Sequence, residues 1–121
     1  MSEYSFKLKK GTDCQKTFAV YSLKDEVKTP WDFTGCSGAM QLRQTYFSSK
    51  AVDSFTTANG GLVLKDGKII VNFTHEATTN YPVATLVYDI EITDSEGTVT
   101  RPIHGKIKIL PEVTKIDPTD K

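Results

Sequence analysis

Few side chains in this sequence are of a type and spacing that does chemistry. There are only two histidines, His75 and His104, and neither has a second Cys, His or carboxylate at a metal-ligand spacing. Each reads as a surface or loop imidazole. The acid pairs Asp25-Glu26 and Asp94…Glu96 stand in turns, without the further oxygens that a calcium loop needs. Cys14 or Cys36 beside a histidine would make a nucleophilic dyad, but no local pattern brings them together. Gly60-Gly61 does not make a phosphate loop. Asn72-Phe73-Thr74 has the form of a glycosylation acceptor, which without a secretory signal is a chance match. The expectation is therefore a protein with no catalytic residues, no metal and no cofactor.

Composition narrows the partners. Fifteen basic and fifteen acidic residues cancel, so no overall field draws the chain to nucleic acid or an anionic membrane. Lys7, Lys9 and Lys10, and again Lys106 and Lys108, form basic faces without the interleaved aromatics of a single-strand platform. They read as lysines that protect edge strands. No apolar run approaches the ~18–20 residues of a membrane span, and Met1-Ser2-Glu3-Tyr4 does not open like a signal peptide. The chain is expected to be made and kept in a cytosol, or assembled there into something larger. Trp31, Tyr46, Phe47 and Tyr81 are the side chains that would stack on a sugar were this a carbohydrate reader; Trp31 reads first as core.

The elements that carry these residues are short strands. Tyr4, Phe6 and Leu8 alternate with Ser5, Lys7 and Lys9, which is the pattern of a half-buried strand. A second strand is expected over 15–23, with either face inward, followed by a charged loop, Lys24 to Pro30. Trp31-Asp32-Phe33-Thr34-Gly35 reads as a corner whose aromatics plug the end of the domain. Ser37 to Gln44 has Met40 and Leu42 inward, and Ala51 to Thr57 is a weaker strand. Asp66-Gly67 is a preferred dipeptide for a two-residue hairpin, and it pairs Leu64 with Ile69 and Leu62 with Val71. One helical turn fits after Thr74 as N-cap. Val83 to Thr93 and Val99 to Ile109 form a long hairpin closed by Asp94-Ser95-Glu96-Gly97, with a bulge expected at Arg101-Pro102, where Pro lacks a donor and Arg101 falls on the inward phase. Cys14 would precede one strand and Cys36 begin the next, so the two lie roughly 25–30 Å apart if those strands form a simple hairpin. Free thiols are therefore expected.

These signals describe one all-β domain over residues 1–114, an antiparallel immunoglobulin-like sandwich of about eight short strands, with a polar tail over 115–121. The run of motifs resembles small structural proteins encoded among the virion genes of tailed bacteriophages. The resemblance is carried by Asp32-Phe33-Thr34-Gly35 with Met40-Gln41-Leu42-Arg43, the Asp66-Gly67 hairpin, and Tyr88-Asp89-Ile90-Glu91-Ile92-Thr93-Asp94. Gly97-Thr98-Val99-Thr100-Arg101, Gly105-Lys106-Ile107 and Pro111-Glu112-Val113-Thr114 continue it, in order, from about Phe6 to Thr114. The fold is also reminiscent of the N-terminal domain of phage baseplate upper proteins. The resemblance implies a non-enzymatic virion component of the tail, baseplate or fibre-attachment apparatus, assembled in the host cytoplasm. A head decoration protein is the alternative, and a carbohydrate-binding module a further one. Its partners would be other virion proteins or symmetric copies of itself. The expected contact residues are Tyr4, Phe6 and Leu8 in the first strand and Pro111, Val113 and Ile116 near the C-terminus.

Overall fold

The computed structural model describes residues 2–114; the polar tail expected over 115–121 lies outside them. In chain order the elements are β1 (Ser2–Glu3), β2 (Phe6–Lys9), β3 (Cys14–Ala19), β4 (Tyr21–Lys24), β5 (Val27–Pro30), β6 (Ser37–Arg43), β7 (Asp53–Thr56), β8 (Leu62–Lys65), β9 (Lys68–Phe73), α1 (His75–Thr78), β10 (Thr85–Thr93) and β11 (Val99–Leu110). A six-stranded sheet runs β1-β11-β10-β6-β7, with β2 also paired to β11. A second sheet has the order β3-β9-β8, and β4 and β5 form a ribbon of their own. That order, with β3, β9 and β8 in one layer and β11, β10, β6 and β7 in the other, is that of an immunoglobulin-like sandwich.

The core lies between the two layers. Met40, Leu42, Leu86, Ile90 and Ile107 from the larger sheet, and Leu62, Ile69 and Val71 from the smaller one, are all at most 1% exposed. Burying side chains of this size contributes about 1.5–3 kcal/mol each. Phe18 and Tyr88 bridge the layers with ring centroids 6.4 Å apart, and Phe55 meets Phe73 edge-on at 5.0 Å.

Local chemistry explains the elements. Asp66 and Gly67 both have positive φ (53° and 73°), which a right-twisted two-residue turn requires, and the expected register of Leu62 with Val71 and Leu64 with Ile69 follows. Thr74 accepts the Ala77 N–H and caps α1. In the long hairpin Ile90 pairs with Ile103 but Ile92 with Thr100. The bulge therefore falls opposite Glu91, as Arg101-Pro102 predicted. It turns the Arg101 guanidinium outward, to Glu91 at 2.8 Å and Asp89 at 3.5 Å.

Three expectations change. The sandwich is not wholly antiparallel, because β1 and β2 run parallel to β11, Ser2 beside Ile103 and Phe6 beside Ile107. The strand expected over 15–23 is two: β3 pairs with β9, and the chain then leaves that sheet at Val20. The segment read as a charged loop is the return strand of a hairpin, with Asp25 and Glu26 as its turn (φ 52° and 65°) and Pro30 opposite Tyr21. Pro30 is tolerated there because each strand of this ribbon has a free edge. Cys14 and Cys36 are free thiols, though β3 and β6 lie in different sheets rather than in one hairpin.

Candidate docking site

The residues that could do chemistry do not converge. Among the described residues no three His, Cys, Asp or Glu side chains come close enough to hold a metal ion. His75 belongs to a surface latch between the turn before β3 and α1. Asp13 Oδ1 accepts the His75 backbone N–H at 2.7 Å and stands 3.0 Å from its Nδ1. That backbone bond, then the ring, holds the Asp13 carboxyl below its ordinary value. His104 lies on the outer face of the large sheet, beside a hollow of about 270 Å³ lined with Gln41, Arg43, Tyr46 and Asp89. Among the described residues the Thr34 carbonyl is the one hydrogen-bond partner of Cys36 Sγ, at 4.0 Å.

Two phenols are buried and engaged. Tyr81 donates to Asp53, and burial first, then that carboxylate, pushes its pKa far up. Tyr88 donates to the Tyr4 carbonyl at 2.6 Å, and burial, with the Tyr4 phenol close by, raises it too. Tyr81, one of the possible sugar platforms, is 2% exposed and is part of the core.

What the surface offers is apolar and extended. Every residue of β4 and β5 is exposed, so the ribbon projects as an arm. The pairing of Tyr21 with Pro30 and Leu23 with Lys28 puts Tyr21, Leu23 and Pro30 on one face, and Lys28 Nζ sits 5.7 Å from the Tyr21 ring. Val27 projects from the other face. Leu23 is 71% exposed and Val27 61%. At the foot of the arm a cleft of about 700 Å³ opens between β1 and β3, with Tyr4, Phe18, Tyr21, Trp31 and Ile103 in its walls. Trp31 is half-buried and packs on Phe33 at 6.0 Å, while Tyr46 and Phe47 stand apart in an exposed turn.

The expected contact residues divide. Leu8 is 3% exposed and Phe6 is half-buried in an aromatic cluster with Phe18, Phe73 and Tyr88, so both side chains pack on the core. Their alternation places them on the inward face of an edge strand. Tyr4 stays partly exposed at the cleft, its ring edge-on to Phe18 at 5.5 Å. Pro111 and Val113 are exposed, and Ile116 lies outside the described residues. Sequence reasoning missed the arm, although Tyr21-x-Leu23 and Val27 alternate about Asp25-Glu26 as hairpin strands do.

No family model matches the chain, and no curated protein is similar enough in sequence to count as a relative.

Proposed function

We propose that the protein is a non-enzymatic docking subunit of a tailed-phage virion, placed in the tail, baseplate or fibre-attachment apparatus and held by other virion proteins. The observation that carries the docking part is the β4–β5 arm. A two-stranded ribbon alone is marginal in water, and this one exposes Tyr21, Leu23 and Val27. Such an arm gains its stability by being gripped by a neighbour. The virion part is supported by the ordered motifs from about Phe6 to Thr114.

Purified particles of the phage or prophage that encodes the chain, analysed by mass spectrometry, test the reading. The chain is expected at a fixed copy number per particle, and tail-only and head-only fractions assign its place. Particles complete without it would overturn the proposal. A carbohydrate-binding module is the second reading, favoured by Tyr21 and Trp31 in one cleft wall. Protection of Trp31 from aqueous iodide by added oligosaccharide would support that instead.

A further inference from the structure

In this sandwich the smaller sheet ends at β3, and among the described residues none takes the place beside β3 where an immunoglobulin-like fold puts its first strand, because β1 and β2 both pair with β11. We infer that this open edge of β3 accepts an extended strand from a partner protein, apolar where it faces Phe18 and carrying a carboxylate where it faces Lys16. The inference rests on the reading of the chain as a docking subunit.

Backbone parity makes the edge available. Val20 N–H donates to the Gly67 carbonyl at 2.9 Å, on the β9 side, and Asn72, the partner of Gln15, donates instead to Gly61 on the β8 side at 2.9 Å. Along an antiparallel strand the direction of these groups alternates. Cys14, Lys16 and Phe18 therefore turn their N–H and C=O to β9, and Gln15, Thr17 and Ala19 turn theirs outward. These three residues are exposed, and no backbone partner meets them among the described residues. A row of alternating donors and acceptors is matched in full only by another strand.

The walls of the opening specify that strand. Thr17 to Val20 form one side of the cleft and Ser2 to Tyr4 the other, with Phe18, Tyr4 and Ile103 giving apolar surface between. Residues directly opposite on paired strands meet side by side, so the position facing Phe18 enters this apolar space. Lys16 Nζ lies 4.9 Å from the Tyr4 ring centroid and 4.8 Å from that of Phe6. No carboxylate pairs with it among the described residues. A carboxylate on the incoming strand, two positions from the apolar residue, would complete it.

Hydrogen exchange measured by mass spectrometry on the isolated chain and on purified particles tests this. The amides of Gln15, Thr17 and Ala19 are expected to exchange about tenfold or more slowly in particles than in the isolated chain. If the chain is present in particles and these amides exchange as fast as in isolation, the edge inference is overturned while the docking reading stands. If particles lack the chain, the docking reading itself fails. Thr17→Pro removes only an outward N–H and is expected to keep the fold but lose incorporation. Should it unfold, the exchange comparison still decides. Lys16→Glu is expected to lower incorporation and Lys16→Arg to keep it; equal incorporation of both overturns the carboxylate. Sedimentation of the isolated chain is expected to show a monomer. A dimer that Thr17→Pro dissolves would make the occupant a second copy and overturn the assignment to another protein.

Discussion

The Tyr88 hydroxyl donates a 2.6 Å hydrogen bond to the backbone carbonyl of Tyr4, 84 positions earlier in the chain. The bond joins a strand at the centre of the large sheet to the segment between β1 and β2 at its edge. It passes over Gly105, where an added Cβ would stand 2.0 Å from that same carbonyl oxygen. On either side the register is unbroken, since Tyr4 N–H donates to the His104 carbonyl at 2.8 Å and Lys106 N–H to Ser5 Oγ at 3.1 Å.

Tyr88→Phe leaves the Tyr4 carbonyl without its partner and is expected to cost about 1–2 kcal/mol, as loss of one partner of a part-buried hydrogen bond does. Gly105→Ala is expected to cost more, because the atom it meets is backbone and cannot rotate away. Urea unfolding of the two variants checks the order, and equal stabilities would show that the Tyr4 segment yields.

Alkaline pH is expected to destabilise the fold through Tyr81 and Tyr88. Both phenols have raised pKa values in the folded chain, mainly from burial, against an ordinary 10.0. The folded state then holds protons that the unfolded state releases. This contribution is complete below pH about 10 and falls away as pH rises beyond it. Ultraviolet titration should show both phenols ionising only with unfolding, and Tyr81→Phe should flatten the alkaline loss.

The Asp13–His75 latch has the opposite sign. Asp13 is held below its ordinary 3.8, first by the His75 backbone N–H. Its contribution is therefore present above pH about 4 and is lost as pH falls through the lowered folded value. Nuclear magnetic resonance is expected to show the His75 amide shifting with the Asp13 carboxyl in acid. Asp13→Asn should abolish that shift without changing the neutral-pH fold.

The arm is expected to matter to assembly and little to folding. Leu23→Glu with Val27→Glu replaces exposed side chains, and such surface changes stay within about 0.5 kcal/mol. Thermal unfolding should be unchanged while incorporation into particles falls. Normal incorporation would remove the arm from the docking surface.

Much of the fold was legible because several local signals agreed on it. Asp66-Gly67 carried both a turn type and an apolar register. Pro102 and the misplaced phase of Arg101 together marked the bulge that faces Glu91. Thr74 announced its helix. Tyr21 to Pro30 was not legible as an arm, since its few apolar residues sit among charges and Asp25-Glu26 lacks the glycine that usually marks such a turn. The parallel pairing of β1 and β2 was hidden for another reason. Alternation at Tyr4, Phe6 and Leu8 tells which face is inward but not which strand lies alongside. The open edge of β3 depends on that choice, so no local pattern could reveal it.

The parallel pairing also sets the order in which the domain can be completed. Ser2 lies beside Ile103 and Phe6 beside Ile107, so β1 and β2 must wait for a strand made much later in the chain. On the ribosome the residues around Phe6 and Leu8 stay without their neighbour until β11 has emerged. Pairings this distant in sequence slow folding. A nascent chain halted before Ile103 therefore has the aromatic partners of Phe6, namely Phe18, Phe73 and Tyr88, but not the strand beside which Phe6 and Leu8 are held.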